Sequence, residues 1–239
     1  MAALFISDLH LTPERAAPNQ QLLAFLTQQT ASGDALYILG DLFEYWVGDD
    51  DLEAPLHRIV VNALHATASR GVGLFFIAGN RDFLVGPAFL EAAQVTLLPD
   101  GTSFDLHGQR TVLLHGDTLC TDDKAYQQFR TKVRAAPWQQ EFLARPLAAR
   151  LQEVEHLRRL SEVEKASKAA MLMDTNAKAV ENLFRDSAAT RMVHGHTHRP
   201  ARHDYLMFDR SCTRWVLPAW DQRAGYLRID AQGEQLHYL

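Results

Sequence analysis

Cysteine is scarce: two residues in 239, Cys120 and Cys212, which is too few for a disulfide framework and lacks thiolate metal-site spacing. Both are expected to be buried packing residues in a reduced, cytoplasmic setting. No apolar run reaches about 18 residues, so no membrane-spanning helix is expected, although attachment to a membrane surface stays compatible. Positive charge is also short. With 24 Lys/Arg against 29 Asp/Glu the net charge is −5, the wrong sign for a general nucleic-acid binder. The chain shows no internal repeat, low-complexity tract or Pro/Gly-rich linker. Its apolar N-terminal run is interrupted at Asp8 with no basic region ahead, so no signal peptide is expected. The length suits one domain, or one domain carrying an inserted subdomain.

What is present is a series of short apolar runs with polar ends. Ala2–Ser7 leads into Asp8-Leu9-His10, and Ala35–Leu39 into Gly40-Asp41. Val72–Ala78 leads into Gly79-Asn80-Arg81-Asp82, Thr111–Leu114 into His115-Gly116-Asp117, and Met192-Val193 into His194-Gly195-His196-Thr197-His198. Helical spacing lies between the first three, over Gln20–Thr30 and from Leu56 to a stop at Arg70-Gly71. Strands alternating with helices predict an α/β sheet, with its site at the carboxyl ends of the strands. Short strands are expected near Trp215–Leu217, Gly225–Ile229 and Leu236–Tyr238.

One segment breaks the rhythm. Between His115 and His194 no strand is expected. Residues 122–170 hold ten Lys/Arg and seven Asp/Glu, a positive excess inside an acidic chain. Trp138, Phe142, Leu143, Leu147, Leu151, Val154 and Leu157 form an apolar stripe, with Pro137 at a helix start and Pro146 at a break. Ser161-Glu162-Val163-Glu164 reads as a capping box, predicting a new helix at Ser161. The division expected is a core of residues 1–121 and 189–239 with a helical lid at 122–188.

The strand-end groups Asp8, His10, Asp41, Asn80, His115, His196 and His198 are more than one metal ion needs. They suit two ions sharing a bridge, and Asp41 has two oxygens to offer. Oxygen and imidazole without thiolate favour Mn²⁺, Fe²⁺, Co²⁺ or Zn²⁺. Two such ions about 3.5–4 Å apart can clamp a phosphoryl centre and activate water, so hydrolysis of a phosphoester or phosphoanhydride is the expected chemistry. Asp117 and His194 are read as supporting or turn residues, and Asp49-Asp50-Asp51 as a solvated acidic loop.

Taken in order, Asp8-x-His10, Gly40-Asp41, Gly79-Asn80-Arg81-Asp82, His115-Gly116-Asp117 and Gly195-His196-Thr197-His198 resemble the motifs of the calcineurin-like metallophosphoesterases. The resemblance implies a four-layered αββα sandwich with the C-terminal strands in the second sheet. It implies one metal on Asp8, His10, Asp41 and His198, and another on Asp41, Asn80, His115 and His196. The longer stretches Ser7–Leu11, Gly40–Asp50, Gly79–Phe83, His115–Asp123 and Val193–Pro200 are similar to a branch of that family in lipid A biosynthesis. That likeness implies a hydrolase with two Mn²⁺ ions, in which a metal-activated hydroxide attacks UDP-2,3-diacylglucosamine at the phosphorus next to uridine. UMP and 2,3-diacylglucosamine 1-phosphate are the products. Asp41, Asn80, Arg81 and His115 would be catalytic. Substrate contacts would fall on Asn80, Arg81, Asp123, Ser161, Lys165, Lys168 and His196, with the protein peripheral on the cytoplasmic face of the inner membrane.

The residues give partial support to that substrate. Arg81 stands where many members of the family have a histidine able to protonate a leaving group, and a guanidinium is no acid near pH 7. A phosphate-monoester leaving group, with a second pKa of about 6, needs little protonation. It gains more from a positive charge beside the diphosphate. The apolar stripe beside Lys165 and Lys168 suits acyl tails under a polyanionic head. The alternatives are a dimetal hydrolase of soluble nucleotides such as dinucleoside polyphosphates, and a metal-free scaffold of the same fold. The first would not need so long an apolar stripe, and the second would show gaps in the ligand set.

Overall fold

Parallel strands buried on both faces need apolar side chains throughout, and the first three runs satisfy this as β1 (Ala3–Ile6), β2 (Ala35–Ile38) and β3 (Gly73–Phe76). A computed structural model describes residues 1–167, 174–221 and 223–239; the side chains of 159–167 lie outside the description. Helices α1 (Ala16–Gln28) and α2 (Pro55–Ser69) connect these strands, and α3 (Pro87–Ala93) precedes the short edge strand β4 (Thr96–Leu97). Then come β5 (Thr102–Leu106), β6 (Gln109–Leu113), β7 (Arg191–His194), β8 (Ala201–Met207), β9 (Arg210–Val216), β10 (Gly225–Asp230) and β11 (Gly233–Tyr238).

The strands form two sheets, ordered β11-β10-β1-β2-β3-β4 and β5-β6-β7-β9-β8. The C-terminal strands are therefore divided, which corrects the expectation that they all join the second sheet. Strands β8 and β9 do so, but β10 pairs antiparallel with β1, placing Ala3 opposite Ile229. In the second sheet β6 and β7 are parallel, with Leu113 opposite Val193.

Alternation explains the layers. Phe5, Tyr37, Ile77, Leu113, Val193, Trp215 and Leu227 face inward and fill the space between the sheets. Phe5, Tyr37 and Phe75 stack in sequence, with centroids 4.9 and 4.8 Å apart. The opposite faces of β1, β2 and β3 bury Leu4, Ile6, Leu36, Ile38 and Phe76 under Leu22, Phe25, Val60, Leu64 and Phe89 of α1, α2 and α3. On the far side of the second sheet, Val112 and Met192 meet Val180 and Phe184 of α7 (Ala177–Ser187). These are the four layers of an αββα sandwich. Helix α7, counted with the lid in the sequence, thus forms the outer layer on the second sheet.

The remaining helices are α4 (Lys124–Val133), α5 (Ala136–Leu143) and α6 (Leu147–Ser167). Pro137 sits in the first turn of α5 and Pro146 separates α5 from α6, as expected. Helix α6 runs unbroken past Ser161, so the Ser-Glu-Val-Glu stretch does not begin a helix. A capping sequence acts only where the chain must start a helix, and α6 is already under way there.

The positive excess of this segment has a structural destination. Arg130 Nε donates to Asp117 Oδ2 at 2.7 Å, and Arg134 Nη2 donates to the Gly79 carbonyl at 2.7 Å. Arg150, fully buried, donates to the Val47 carbonyl and to Asp50. Guanidinium groups thus dock α4 and α6 onto the loops that follow β2, β3 and β6.

Those contacts also correct the reading of Asp49-Asp50-Asp51 as a solvated loop. Asp49 accepts hydrogen bonds from Trp46 Nε1 and from the backbone N–H groups of Gly86, Ala88 and Phe89 at the start of α3. Asp51 Oδ2 lies 3.4 Å from His57 Nδ1. Three adjacent acids are tolerated because each faces a different donor.

Candidate metal centre and adjoining cleft

The site is built where the strands stop. Asp8 N–H donates to the Gly40 carbonyl, His10 N–H to the Asp41 carbonyl and Gly195 N–H to the His115 carbonyl. These bonds fasten the loops within each sheet, and His196 N–H donating to Asp8 Oδ2 at 2.8 Å joins the two sets. Asp8, His10, Asp41, His196 and His198 all have positive φ, between 49° and 66°. Such a conformation is uncommon outside glycine and mildly unfavourable, though Asp and His tolerate it better than most. Five occurrences at one place mark a backbone shaped to aim side chains at a common point. Gly195 permits the crowding: a Cβ there would stand 2.1 Å from Asp8 Oδ2.

The donor atoms converge in two groups. His10 Nε2 lies 3.2 Å from His198 Nε2, and His198 Nε2 lies 3.5 Å from Asp8 Oδ1. Nearby, Asn80 Oδ1 is 2.9 Å from both His115 Nε2 and His196 Nδ1, and these two ring nitrogens are 3.2 Å apart. Asp41 stands between the groups, its Oδ2 at 3.8 Å from His10 Nε2 and its Oδ1 at 3.8 Å from His115 Nε2. All seven expected ligands are therefore brought together, and the carboxylate expected to bridge faces both halves.

The opposite ring nitrogens of three of these histidines face acceptors. His115 Nδ1 donates to the Leu39 carbonyl at 2.8 Å, leaving Nε2 unprotonated in the neutral ring. His198 Nδ1 faces Asp221 Oδ2 at 3.7 Å, and His10 Nδ1 faces Glu44 Oε2 at 3.2 Å. The 3.2 Å contact is off-axis for a hydrogen bond, so His10 Nδ1 remains without one. Histidine metal ligands characteristically have their second nitrogen secured in this way.

The electrostatics fit cations. Asp8 Oδ1 is buried with no hydrogen-bond partner. Burial lowers the His115 pKa, but the charges of Asp41 and Asp8 outweigh it and raise it to about 9. For His198 burial also opposes protonation, but Asp221 and Asp8 push the pKa up to about 10. Burial alone would raise Asp8, yet the surrounding histidines hold it well below the ordinary carboxylate range. Among the described residues the triads Asp8, His10, His198 and Asp8, Asp41, His115 have the proximity to hold a metal ion. The donor set fits two hard or borderline dications.

His194 does not join the cluster. Its Nδ1 donates to the Gly195 carbonyl at 2.9 Å, and Arg214 donates to its Nε2 at 3.1 Å. Burial and the Arg214 charge lower its pKa to about 3, so it stays neutral. Asp117 is likewise a support: Tyr126 Oη and Arg130 both donate to its Oδ2 at 2.7 Å. Asp82, buried, accepts from the backbone N–H groups of Gly79, Asp41 and Leu42 and ties the second and third loops together. Sequence reading missed the roles of Asp82, Glu44 and Asp221. The first two lie inside the quoted motifs, but their type alone did not separate them from turn residues.

A cleft of about 590 Å³ opens beside the cluster. Its lining includes His10, Asp41, Asn80, Arg81, His196 and His198 together with Tyr45, Trp46, Phe83, Trp138, Val154 and Leu157. Part of the expected apolar stripe packs on the core, as Leu147 and Leu151 do, while Trp138, Phe142, Val154 and Leu157 reach the cleft. Of the expected substrate contacts, Asn80, Arg81, Asp123 and His196 line it. Asp123 also caps α4, accepting from Tyr126 N–H at 3.0 Å. Ser161 and Lys165 fall on α6 where side chains are not described, and Lys168 lies outside the described residues.

Comparison with known proteins agrees with this geometry. The chain is 52% identical over 233 residues to the UDP-2,3-diacylglucosamine hydrolase of Aromatoleum aromaticum, covering 98% of this chain and 95% of that one. It is 46% identical over 246 residues to the protein of the same name from Xanthomonas axonopodis pv. citri, covering 100% and 99%. The calcineurin-like phosphoesterase profile matches residues 1–200. By fold, ligand set and sequence, the chain belongs to the calcineurin-like phosphoesterase family, which implies a two-metal site.

Proposed function

We propose that this hydrolase cleaves the pyrophosphate of UDP-2,3-diacylglucosamine, releasing UMP and 2,3-diacylglucosamine 1-phosphate in lipid A biosynthesis. The observation that carries the reading is a joint one: a seven-ligand cluster opens directly into a cleft walled by aromatic and aliphatic side chains. Full-length relatives bearing that enzyme name support it. A soluble nucleotide would leave the apolar wall without a purpose. Each acyl methylene buried against it contributes about 0.8 kcal/mol, so two chains outweigh many polar contacts.

Asp8, His10, Asp41 and His198 would hold one Mn²⁺, and Asp41, Asn80, His115 and His196 the other. When bound, the pair supplies Lewis acidity to the phosphoryl oxygens and lowers the pKa of water. Water gives up a proton to solvent, the resulting hydroxide adds to the phosphorus next to uridine, and the bond from that phosphorus to the bridging oxygen breaks. The electron pair leaves with the lipid phosphate, and the water oxygen stays with UMP. Arg81, on the cleft wall beside Asn80, neutralises charge on the departing phosphate, which needs no proton to leave. Tyr126, in contact with His196 at 5.9 Å between ring centroids, screens the cluster from the side of α4. Helices α4 to α6 would form the lid.

No helix among the described residues is long and apolar enough to cross a membrane. A lipid substrate therefore implies docking at the cytoplasmic face of the inner membrane. Wholly soluble fractionation at low salt would count against that placement. The decisive assay follows UMP release from UDP-2,3-diacylglucosamine and from UDP-glucosamine, each with and without Mn²⁺. Mn²⁺-dependent turnover of the first alone is expected. Equal turnover of both would remove the lipid reading and spare the dimetal one.

A further inference from the structure

Glu44 faces three groups from three different elements. Its Oε2 lies 3.2 Å from Nδ1 of His10, in the loop after β1. Its Oε1 lies 3.8 Å from Arg81 Nη1, in the loop after β3, and 3.6 Å from Arg158 Nε on α6. The carboxylate is largely buried, and burial alone would raise its pKa; His10, Arg81 and Arg158 together hold it below the ordinary value. A charge placed here is therefore balanced by those three partners.

We propose that Glu44 is a positioning residue: it fixes the ring of His10 for metal ligation and holds Arg81 and Arg158 at the mouth of the metal site until a diphosphate takes them over. The diphosphate part rests on the function proposed above; the His10 part does not.

The two halves have separate physical grounds. An imidazole can ligate through Nε2 only when Nδ1 keeps the ring proton, and an acceptor beside Nδ1 selects that tautomer. His10 Nδ1 is buried without an aligned hydrogen bond, and a small rotation of Glu44 would supply one. On the other oxygen, two guanidinium groups would repel each other without the shared carboxylate. Separations of 3.6 and 3.8 Å exceed the roughly 2.7–2.9 Å of a direct charge-assisted hydrogen bond. Glu44 thus steers the two guanidinium groups without bonding directly to either, and phosphate oxygens offering direct bonds can draw them from it. Because Arg158 belongs to α6, the same carboxylate ties that helix to the metal site.

The test uses the full chain carrying Glu44→Ala, Glu44→Gln, Arg158→Gln, or Glu44→Gln with Arg158→Gln. Mn²⁺ binding to substrate-free protein is measured by calorimetry, and kcat and KM are measured at saturating Mn²⁺. Glu44→Ala should weaken Mn²⁺ binding by about 10–100-fold. Glu44→Gln retains an amide oxygen for His10 Nδ1–H, so its Mn²⁺ binding should stay close to the parent while kcat falls about tenfold or more. KM should change little, because the site becomes no less positive toward an anionic substrate. Arg158→Gln should lower kcat with Mn²⁺ binding intact, and the double variant should lose less than the two single losses combined. The proposal is overturned if Glu44→Gln weakens Mn²⁺ binding as much as Glu44→Ala, if it leaves kcat unchanged, or if the double-variant losses simply add. The Mn²⁺ titration uses no nucleotide, so it still reads the His10 half if the substrate assignment fails.

Discussion

His10 Nε2 and His198 Nε2, separated by 188 residues of chain, lie 3.2 Å apart with a carboxylate beside each Nδ1. In the neutral, ligating form of both rings, with the proton on each Nδ1, two lone pairs face each other beside the unpartnered Asp8 Oδ1. A dication resolves that repulsion and satisfies all three atoms at once. The five positive-φ residues of the strand-end loops become intelligible on the same ground, since they bring these atoms together.

Asp41 should be the least replaceable side chain, because its two oxygens face the two halves of the cluster. Asp41→Asn removes the charge and one oxygen acceptor while keeping the shape. A fall in kcat of at least about two orders of magnitude is expected, with loss of one bound metal equivalent by elemental analysis. Near-normal turnover would end the dimetal mechanism.

The site was more legible in the sequence than the fold. Each ligand follows an apolar run, and the chemistry of Asp, Asn and His is visible without coordinates. The partition into two sheets was not, because β10 carries no mark that it returns to β1 while β9 joins β7. Strand β8 alternates in exposure and β5 is half-buried along most of its length, and they carry polar residues such as Asp105, Arg202 and Asp204, so no apolar run announced them. The acidic triplet at Asp49 was misread for a related reason: its donors come from Trp46 and, 37 to 40 residues away, from Gly86 to Phe89. Long-range satisfaction of a charge leaves no local pattern.

Arg81→Ala should cost about 2–4 kcal/mol in transition-state binding, read from kcat/KM with UDP-2,3-diacylglucosamine. Arg81 N–H also donates to Asp41 Oδ1 at 2.9 Å, and that backbone contact survives the substitution. Metal content should therefore stay unchanged. An unchanged kcat/KM would take the guanidinium out of the chemistry.

Asp49→Ala tests the corrected reading of the acidic triplet. It deprives Trp46 Nε1 and the first N–H groups of α3 of their shared acceptor. Loss of a helix-terminal acceptor of this kind costs about 1–2 kcal/mol, with more where a donor is left buried. Urea denaturation should show a lower midpoint at an unchanged slope. A solvated acidic loop, by contrast, would lose nothing measurable.

Metal binding should weaken as the pH falls, and the sign follows from the histidines. The carboxylates raise His115 to about 9 and His198 to about 10, so without a cation both rings hold a second proton at neutral pH. Ligation needs the neutral ring, and each proton displaced makes the apparent affinity fall up to tenfold per pH unit below those values. Mn²⁺ at 100 times its dissociation constant stabilises the fold by about 2.7 kcal/mol, and chelation removes that increment. At fixed Mn²⁺ the melting-temperature gain over chelated protein should therefore be large at pH 8 and shrink toward pH 6. Calorimetry in buffers of different ionisation enthalpy should register proton release on Mn²⁺ binding. A gain independent of pH, with no proton release, would show that these rings do not ligate.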